Sequence, residues 1–388
     1  MALMSLHGRR IHIAGSIDKD ATVATSADVA LAREFVQKLV IDLMKRGATF
    51  VVPVDAEKLR DPDNLPICFD WLIWETLQAN LTKRPAGAQN PLAIAVQHHK
   101  TEDQVPADKA ATWDSFRGSD LVLIENASHW NMASKRMEIQ AARGDILITL
   151  GGSEGVLFLA NLYHNAGKPV IPLDFKLCAA GTGSRRLFAQ ALISTQASRF
   201  FRVRSGTASH GLVNRLNFAA RHTVAERVQE VTAILEDLAR PTVFAVRLLN
   251  PKIDSYKDVE DFFTGVVKHV VEEELGYTLK VVDGTQANEE PRVDTEIFTK
   301  LHNAAVVVAD LTAERPNCFI EIGYALGRSI PTMMTAKSGT KTPFDVDTLA
   351  GHMWTTDDPL VDRRRKFLDY WKANINRAPL VKMDPIIP

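Results

Sequence analysis

A carboxylate set among apolar residues is the first chemistry this chain offers. In ADLTAERPNCFIEIGYALGR, residues 309–328, a β-branched run ends in Asp310, TAERPN supplies turn residues, and CFIEIGYALG reads as a short apolar helix closing at Gly327. Asn317 is placed to cap that helix. Glu321 then has two readings. In the first turn or just beyond it, the side chain complements the helix dipole, worth about 0.3–1 kcal/mol at an exposed site. Against that, Phe319, Ile320, Ile322, Tyr324, Ala325 and Leu326 leave the helix apolar almost all round. A carboxylate in such company is usually paired, or sits in a cleft at a strand end.

The second constellation is a glycine turn. In DILITLGGSEGVLFLANLYHNAGKPVIPLDF a strand runs into Gly151, Gly152, Ser153, Glu154 and Gly155, then into an apolar helix that closes at Gly167. Glycines at that junction let backbone approach a ligand, and the free N–H groups of a helix start favour an anion such as phosphate. A tight strand-to-helix turn would use the same residues. Gly15 and Ser16 end the first strand, RIHIAGS, so both turns lie at carboxyl ends of expected parallel strands, where ligands sit in open α/β sheets. CAAGTGSRR adds Arg185 and Arg186, suited to a phosphate or pyrophosphate, or equally to a solvated surface pair.

These groups need elements to hold them. SADVALAREFVQKLVIDLMKRG places Ala32, Phe35, Val36, Leu39 and Leu43 on one helical face, with Ser26 as the expected N-cap and Gly47 as the stop. ATFVVPVD, DLVLIEN, DILITLGG and KPVIPLD read as further strands, and their continuous apolar runs suit a parallel sheet covered on both faces. TVAERVQEVTAILEDLA is a helix that stops at Arg240-Pro241, which sets an expected domain boundary: 1–240 and 241–388. The second half repeats the alternation, with TVFAVRLL, YTLKVVDG, AAVVVADL and SIPTMMTA as strands. Residues 57–119 read as a decorated insertion in the first domain.

The chain has 388 residues, 46% of them hydrophobic and 24% charged, enough to bury a large core in two or three domains. Its formal net charge of −1 gives no global field to recruit nucleic acid or an anionic membrane. Cys68, Cys178 and Cys318 are odd in number and lack metal-ligand spacing, which argues against a disulfide framework or zinc site and favours a cytoplasmic location. MALMSLHGRRIHIAGS has no hydrophobic signal core, and no apolar run approaches the roughly 20 residues that span a bilayer, so neither secretion nor membrane insertion is expected.

IHIAGS, LITLGGSEG and GKPVIPL together resemble the SLOG superfamily, the Rossmann-like group containing the DprA/Smf and lysine-decarboxylase-like (LOG) proteins, over roughly residues 8–200. Enzymatic members carry a glutamate on the helix after the glycine turn and cleave the N-glycosidic bond of nucleoside monophosphates. Here Val156, Leu157, Phe158 and Leu159 follow Gly155, with no acid on that turn. The resemblance therefore implies the sensor branch, in which Gly15, Ser16, Gly151 to Gly155, Arg185 and Arg186 bind a nucleotide or ADP-ribose-derived messenger.

VVVADLTAERPNCFIEIGYALGR and PFDVDTLAGHMW resemble the nucleoside 2-deoxyribosyltransferase-like proteins and the related bacterial TIR-like domains, over about residues 241–356. In those families a glutamate of the corresponding helix is catalytic, and that role falls on Glu321. The resemblance implies two Rossmann-like or flavodoxin-like α/β domains with mainly parallel sheets covered by helices. It also implies NAD as substrate, with no cofactor or metal, in an antiviral effector that acts as a homo-oligomer. Asp310 and Asn317 would hold ribose hydroxyls or orient Glu321, and Arg247 would meet phosphate. Asp345 and Trp354 would line the cleft, Trp354 stacking a base. The same four residue types also serve as turn former, helix cap, surface cation and core tryptophan. A nucleoside or deoxynucleotide substrate, and a non-enzymatic nucleotide-binding regulator, are the alternatives.

Overall fold

The computed structural model describes residues 5–61, 63–88, 90–97, 104–126, 133–193, 200, 209–238, 240–281, 293–313, 316–340, 351–375 and 377. The chain divides into two compact units, Met1–Ala239 and Arg240–Pro388. Both are α/β, and every strand pairing within them is parallel.

In the first unit β1 (Arg10–Ser16), β2 (Thr49–Pro53), β3 (Ala93–Gln97), β4 (Val122–Asn126), β5 (Ile146–Gly151) and β6 (Val170–Leu173) form one sheet in the order β4-β3-β2-β1-β5-β6. Helix α1 (Ser26–Lys45) buries Val29, Ala32, Phe35, Val36, Leu39, Val40, Leu43 and Met44, the single apolar stripe its spacing dictates. Its cap is Thr25, whose hydroxyl accepts from the Asp28 N–H at 3.2 Å; Ser26, the expected cap, is the first helical residue. Arg46 is the C-cap, and Gly47 follows at φ 80°, a left-handed conformation that glycine adopts without penalty.

The segment 57–119 is not a decoration. It supplies α2 (Asp70–Ala79), β3 and α3 (Ala110–Arg117), and β3 bonds β2 on one side and β4 on the other. Pro, Trp and His obscured a short strand whose apolar run is only four residues long. Helices α4 (Ala133–Arg143), α5 (Glu154–Asn165), α6 (Gly183–Ile193), α7 (Ser209–Leu216) and α8 (Val224–Asp237) complete this unit. A capping box between Thr223 and Glu226 starts α8.

In the second unit β7 (Thr242–Val246), β8 (Thr278–Val281), β9 (Val306–Asp310), β10 (Thr332–Lys337) and β11 (Gly351–Trp354) are ordered β11-β10-β9-β7-β8. Helix α9 (Tyr256–Phe262) runs on through π-type turns at Phe263–Val267 and Val270–Glu274; α10 (Val293–His302), α11 (Pro316–Gly327) and α12 (Leu360–Asn374) follow. Alternate residues of β7 and β9 enter different cores. Val243, Ala245, Val306 and Val308 pack with Val259, Phe262, Trp354 and Phe367 of one layer. Phe244, Val246, Val307 and Ala309 pack with Cys318, Ile322 and Ala325 of α11 on the other. Burial on both faces explains why these strands read as unbroken apolar runs.

Candidate functional site

Each sheet reverses its strand order once, and crevices for ligands form outside the carboxyl ends of the strands at such points. In the first unit the reversal separates β1 from β5. A Cβ at Gly15 would lie 1.7 Å from the Leu150 carbonyl oxygen, so only glycine lets these strands approach as they do. Gly151 and Gly152 take φ of 61° and 77°, and the Gly152 N–H donates to the Ser16 carbonyl at 2.7 Å. Ser153 sits at the N-cap of α5 without a side-chain capping bond, and Glu154 is exposed in the first turn, followed by Gly155.

The structure adds a fourth glycine, one that the sequence does not single out. Gly183 has φ 49°, and a Cβ there would fall 2.1 Å from the Gly152 oxygen and 2.4 Å from that of Gly151. The start of α6 is thus pressed onto the glycine turn. Next to it, the buried Ser184 hydroxyl accepts from the Leu173 N–H at 3.0 Å and bonds the Thr149 side chain at 2.8 Å, tying α6 to β5 and β6. Arg185 is committed to Asp174 (2.8 Å) and the Cys178 carbonyl (3.1 Å), while Arg186 is exposed. Of the expected residues, Gly15, Ser16, Gly151 and Gly152 meet, Ser153 to Gly155 open the adjoining helix, and Arg185 and Arg186 stand on the helix that Gly183 docks.

An acid also reaches this edge. The Ile17 N–H donates to the Ile67 carbonyl at 2.8 Å and Ser16 bridges Cys68, so the end of β1 is held to the loop that leads, two residues on, into Asp70, first residue of α2. Asp55, just past β2, pairs with Arg136, and its carbonyl accepts from Trp71 Nε1 at 2.9 Å. Desolvation, with Asp55 nearby, pushes the Asp70 carboxyl up to about 7, although part of its surface stays open; Arg136 opposes the shift. Nothing local in CFDWLIWE marks Asp70; its place depends on the loop pairing with β1.

In the second unit the reversal separates β7 from β9. Asp310, at the end of β9, is 1% exposed and accepts from the Thr312 N–H at 3.0 Å, Thr335 Oγ1 at 2.8 Å and Trp354 Nε1 at 2.8 Å. Burial pushes its carboxyl up, and these three bonds hold it down. Trp354, expected to stack a base, is 2% exposed and stacks on Phe262 with centroids 4.5 Å apart and planes 6° from parallel. Asp310 and Trp354 therefore clasp β9, β10 and β11 together instead of presenting an open ligand face.

Asn317 is an exposed residue inside α11, second in the helix, not its cap. Glu321 stands sixth, past the first turn, where the dipole field has largely faded. It is half-buried, beside the Cys318, Ile322 and Ala325 face and next to Ile320, which is 60% exposed. The helix does have a solvated side, contrary to its all-round apolar appearance. Arg247 follows β7, pairs with Glu260 and lies 5.5 Å from the Phe263 ring centroid. Asp345 lies outside the described residues. Among the described residues, no group of three or more His, Cys, Asp or Glu side chains could hold a metal ion, and no helix is long and apolar enough to cross a membrane.

No curated protein matches the chain. Among solved structures, the X-ray structure of TM1055, a structural-genomics target, is similar over 49% of this chain and 88% of its own, at 14% identity and a TM-score of 0.30. Residues 6–235, the strands, glycine turn and helices of the first unit, match a family described as ATP nucleosidase Cap17-like, N-terminal, and it is to this family that the chain belongs.

Proposed function

We propose that the protein is an N-glycosidase effector gated by a nucleotide signal: the first unit binds the messenger at its glycine crevice, and Glu321 of the second unit serves hydrolysis. The family's description, ATP nucleosidase, supports cleavage of the bond between base and ribose as the reaction class; the setting proposed for it is bacterial antiviral defence. The observation that carries the division of labour is the contrast between the crevices. The glycine turn leads into a helix whose second turn is Phe158, Leu159 and Ala160, while the helix after β9 carries a half-buried glutamate too far along to serve as dipole punctuation.

With NAD as substrate, the bond between C1′ and the nicotinamide nitrogen breaks with its electron pair going to the ring, which cancels the ring's positive charge. No proton need be supplied to the leaving group. The ribose carbon becomes oxocarbenium-like, a charge that the Glu321 carboxylate stabilises or traps as an ester. Water then adds at C1′ and releases a proton, giving nicotinamide and ADP-ribose. Messenger binding promotes the homo-oligomer in which this chemistry becomes efficient.

The test is product analysis after incubating purified protein with NAD, ATP or deoxynucleosides, with and without a panel of cyclic and ADP-ribose-derived nucleotides. Base release that appears only with an activator and is lost in Glu321→Gln supports the reading; loss of NAD unaffected by Glu321→Gln sinks it. A second reading places hydrolysis in the first unit, favoured by the half-buried Asp70, whose carboxyl is pushed up to about 7 two residues past the Ser16–Cys68 bridge. In that case Asp70→Asn abolishes base release and Glu321→Gln leaves it intact.

A further inference from the structure

Three strands of the second unit end in polar groups that share one face. Along β7, Val243 and Ala245 enter the core beneath α9, and Arg247 is the next residue in that alternation. Along β9, Val306 and Val308 do the same and Asp310 follows; along β10, Met333 does, then Thr335, bonded to Asp310, then Lys337. Because the order is β10-β9-β7, the two cations flank the buried carboxylate at the carboxyl edge of the sheet. The Lys337 N–H donates to Thr312 Oγ1 at 2.9 Å, which fixes its strand end against the loop after β9.

Both cations are occupied by one helix. Glu260 of α9 pairs with Arg247, and Asp258 pairs with Lys337 at 2.5 Å. The occupation is incomplete. The Arg247 side chain is 9% exposed, yet its Nε–H, buried, has no hydrogen-bond partner among the described residues. A guanidinium presents five donors in a planar fork, and a single carboxylate on Nη1 leaves the Nε edge unfilled. A buried donor without a partner costs free energy that a bidentate oxyanion would recover. Lys337 and Asp258 are each about a third exposed (35% and 34%), a pair that water and salt weaken and that a strongly charged anion displaces.

Resting on the N-glycosidase reading, we infer that Arg247 and Lys337 form the subsite for the diphosphate of the nucleotide substrate, and that Glu260 and Asp258 of α9 stand in for its phosphates until substrate displaces them. The carboxylates hold the two cations in position at the strand ends, and they set a threshold that weak anions do not cross. A pyrophosphate group, with more charge and with oxygens matched to both the guanidinium fork and the ammonium, does cross it.

The test is acylation of Lys337 in the full chain, mapped by mass spectrometry, with inorganic pyrophosphate as the probe. Pyrophosphate should protect Lys337, and the half-protecting concentration should fall about tenfold in D258N/E260Q and rise at least tenfold in R247Q, with R247K between. Thermal unfolding checks that each variant is folded, and R247K keeps the question answerable if R247Q is not. No protection of Lys337 in any variant overturns the subsite; equal half-protecting concentrations in the native protein and D258N/E260Q overturn the stand-in role. Neither result depends on turnover, so failure of NAD cleavage is scored separately.

Discussion

Gly183→Ala is the sharpest probe of the first-unit crevice because its cost follows from backbone geometry alone. A methyl group there meets two carbonyl oxygens of the glycine turn, 2.1 Å and 2.4 Å away, and these are backbone atoms that cannot rotate aside. The φ of 49° adds the left-handed penalty of roughly 1–2 kcal/mol for a residue with a Cβ. Relieving the overlap forces α6 off the turn, and overpacking of this kind costs about 1–3 kcal/mol more. The sum, about 2–5 kcal/mol, is a large share of a typical domain's stability. Gly181→Ala is the matched control two residues away: its Cβ meets nothing within 4 Å and its φ is not in the left-handed region. Urea unfolding followed by far-ultraviolet circular dichroism should show a lowered midpoint for Gly183→Ala and a midpoint within about 0.5 kcal/mol of native for Gly181→Ala. Isothermal titration with the activating nucleotide should show binding weakened only in the first variant. Equal stability of the two variants would refute the close packing of α6 on the turn.

Two further substitutions test the remaining carboxylates. Asp310→Ala strips acceptors from the buried Trp354 indole N–H and Thr312 N–H, each worth about 1–3 kcal/mol when left unsatisfied. Removing a desolvated carboxylate offsets part of this, so a loss of about 2–4 kcal/mol in chemical unfolding is expected, with a red-shifted tryptophan emission; an unchanged midpoint would mean that the clasp holds nothing. Asp70 has its folded pKa raised from 3.8 to about 7, so between about pH 4 and pH 7 the folded state binds more protons than the unfolded one. Its contribution is most favourable below about pH 4 and is lost as pH rises through 7. Asp70→Asn should flatten that slope and stabilise the protein at pH 8 by ~1–3 kcal/mol, the full ~1.4 kcal/mol per unit being trimmed by the water that still reaches the group. A variant less stable than native at pH 8 would show the carboxylate to be net favourable where it stands.

Much of the architecture was legible because it is written locally. Ile146 to Leu150 and Val306 to Ala309 are buried on both faces, and strands of that kind cannot be anything but continuous apolar runs. The stripe of α1 and the positive-φ glycines at 47, 151 and 152 each depend on neighbours within a few residues. The insertion reading of 57–119 failed because β3 is only five residues long and lies among turn-forming residues, where period and composition carry little signal.

By itself the sequence determined two parallel α/β sheets, the glycine turn and a glutamate on the helix after a buried strand, since each is a pattern of adjacent residues. Tertiary structure decided which groups meet. Gly183 lies against Gly151 and Gly152, Cys68 beside Ser16, Trp354 on Asp310, and α9 carboxylates on Arg247 and Lys337. Those contacts join segments from 13 to 79 positions apart, Arg247 to Glu260 at one extreme and Lys337 to Asp258 at the other. They follow from the order in which strands lie side by side. That order is a property of how helices cover the sheet, and no local spacing encodes it.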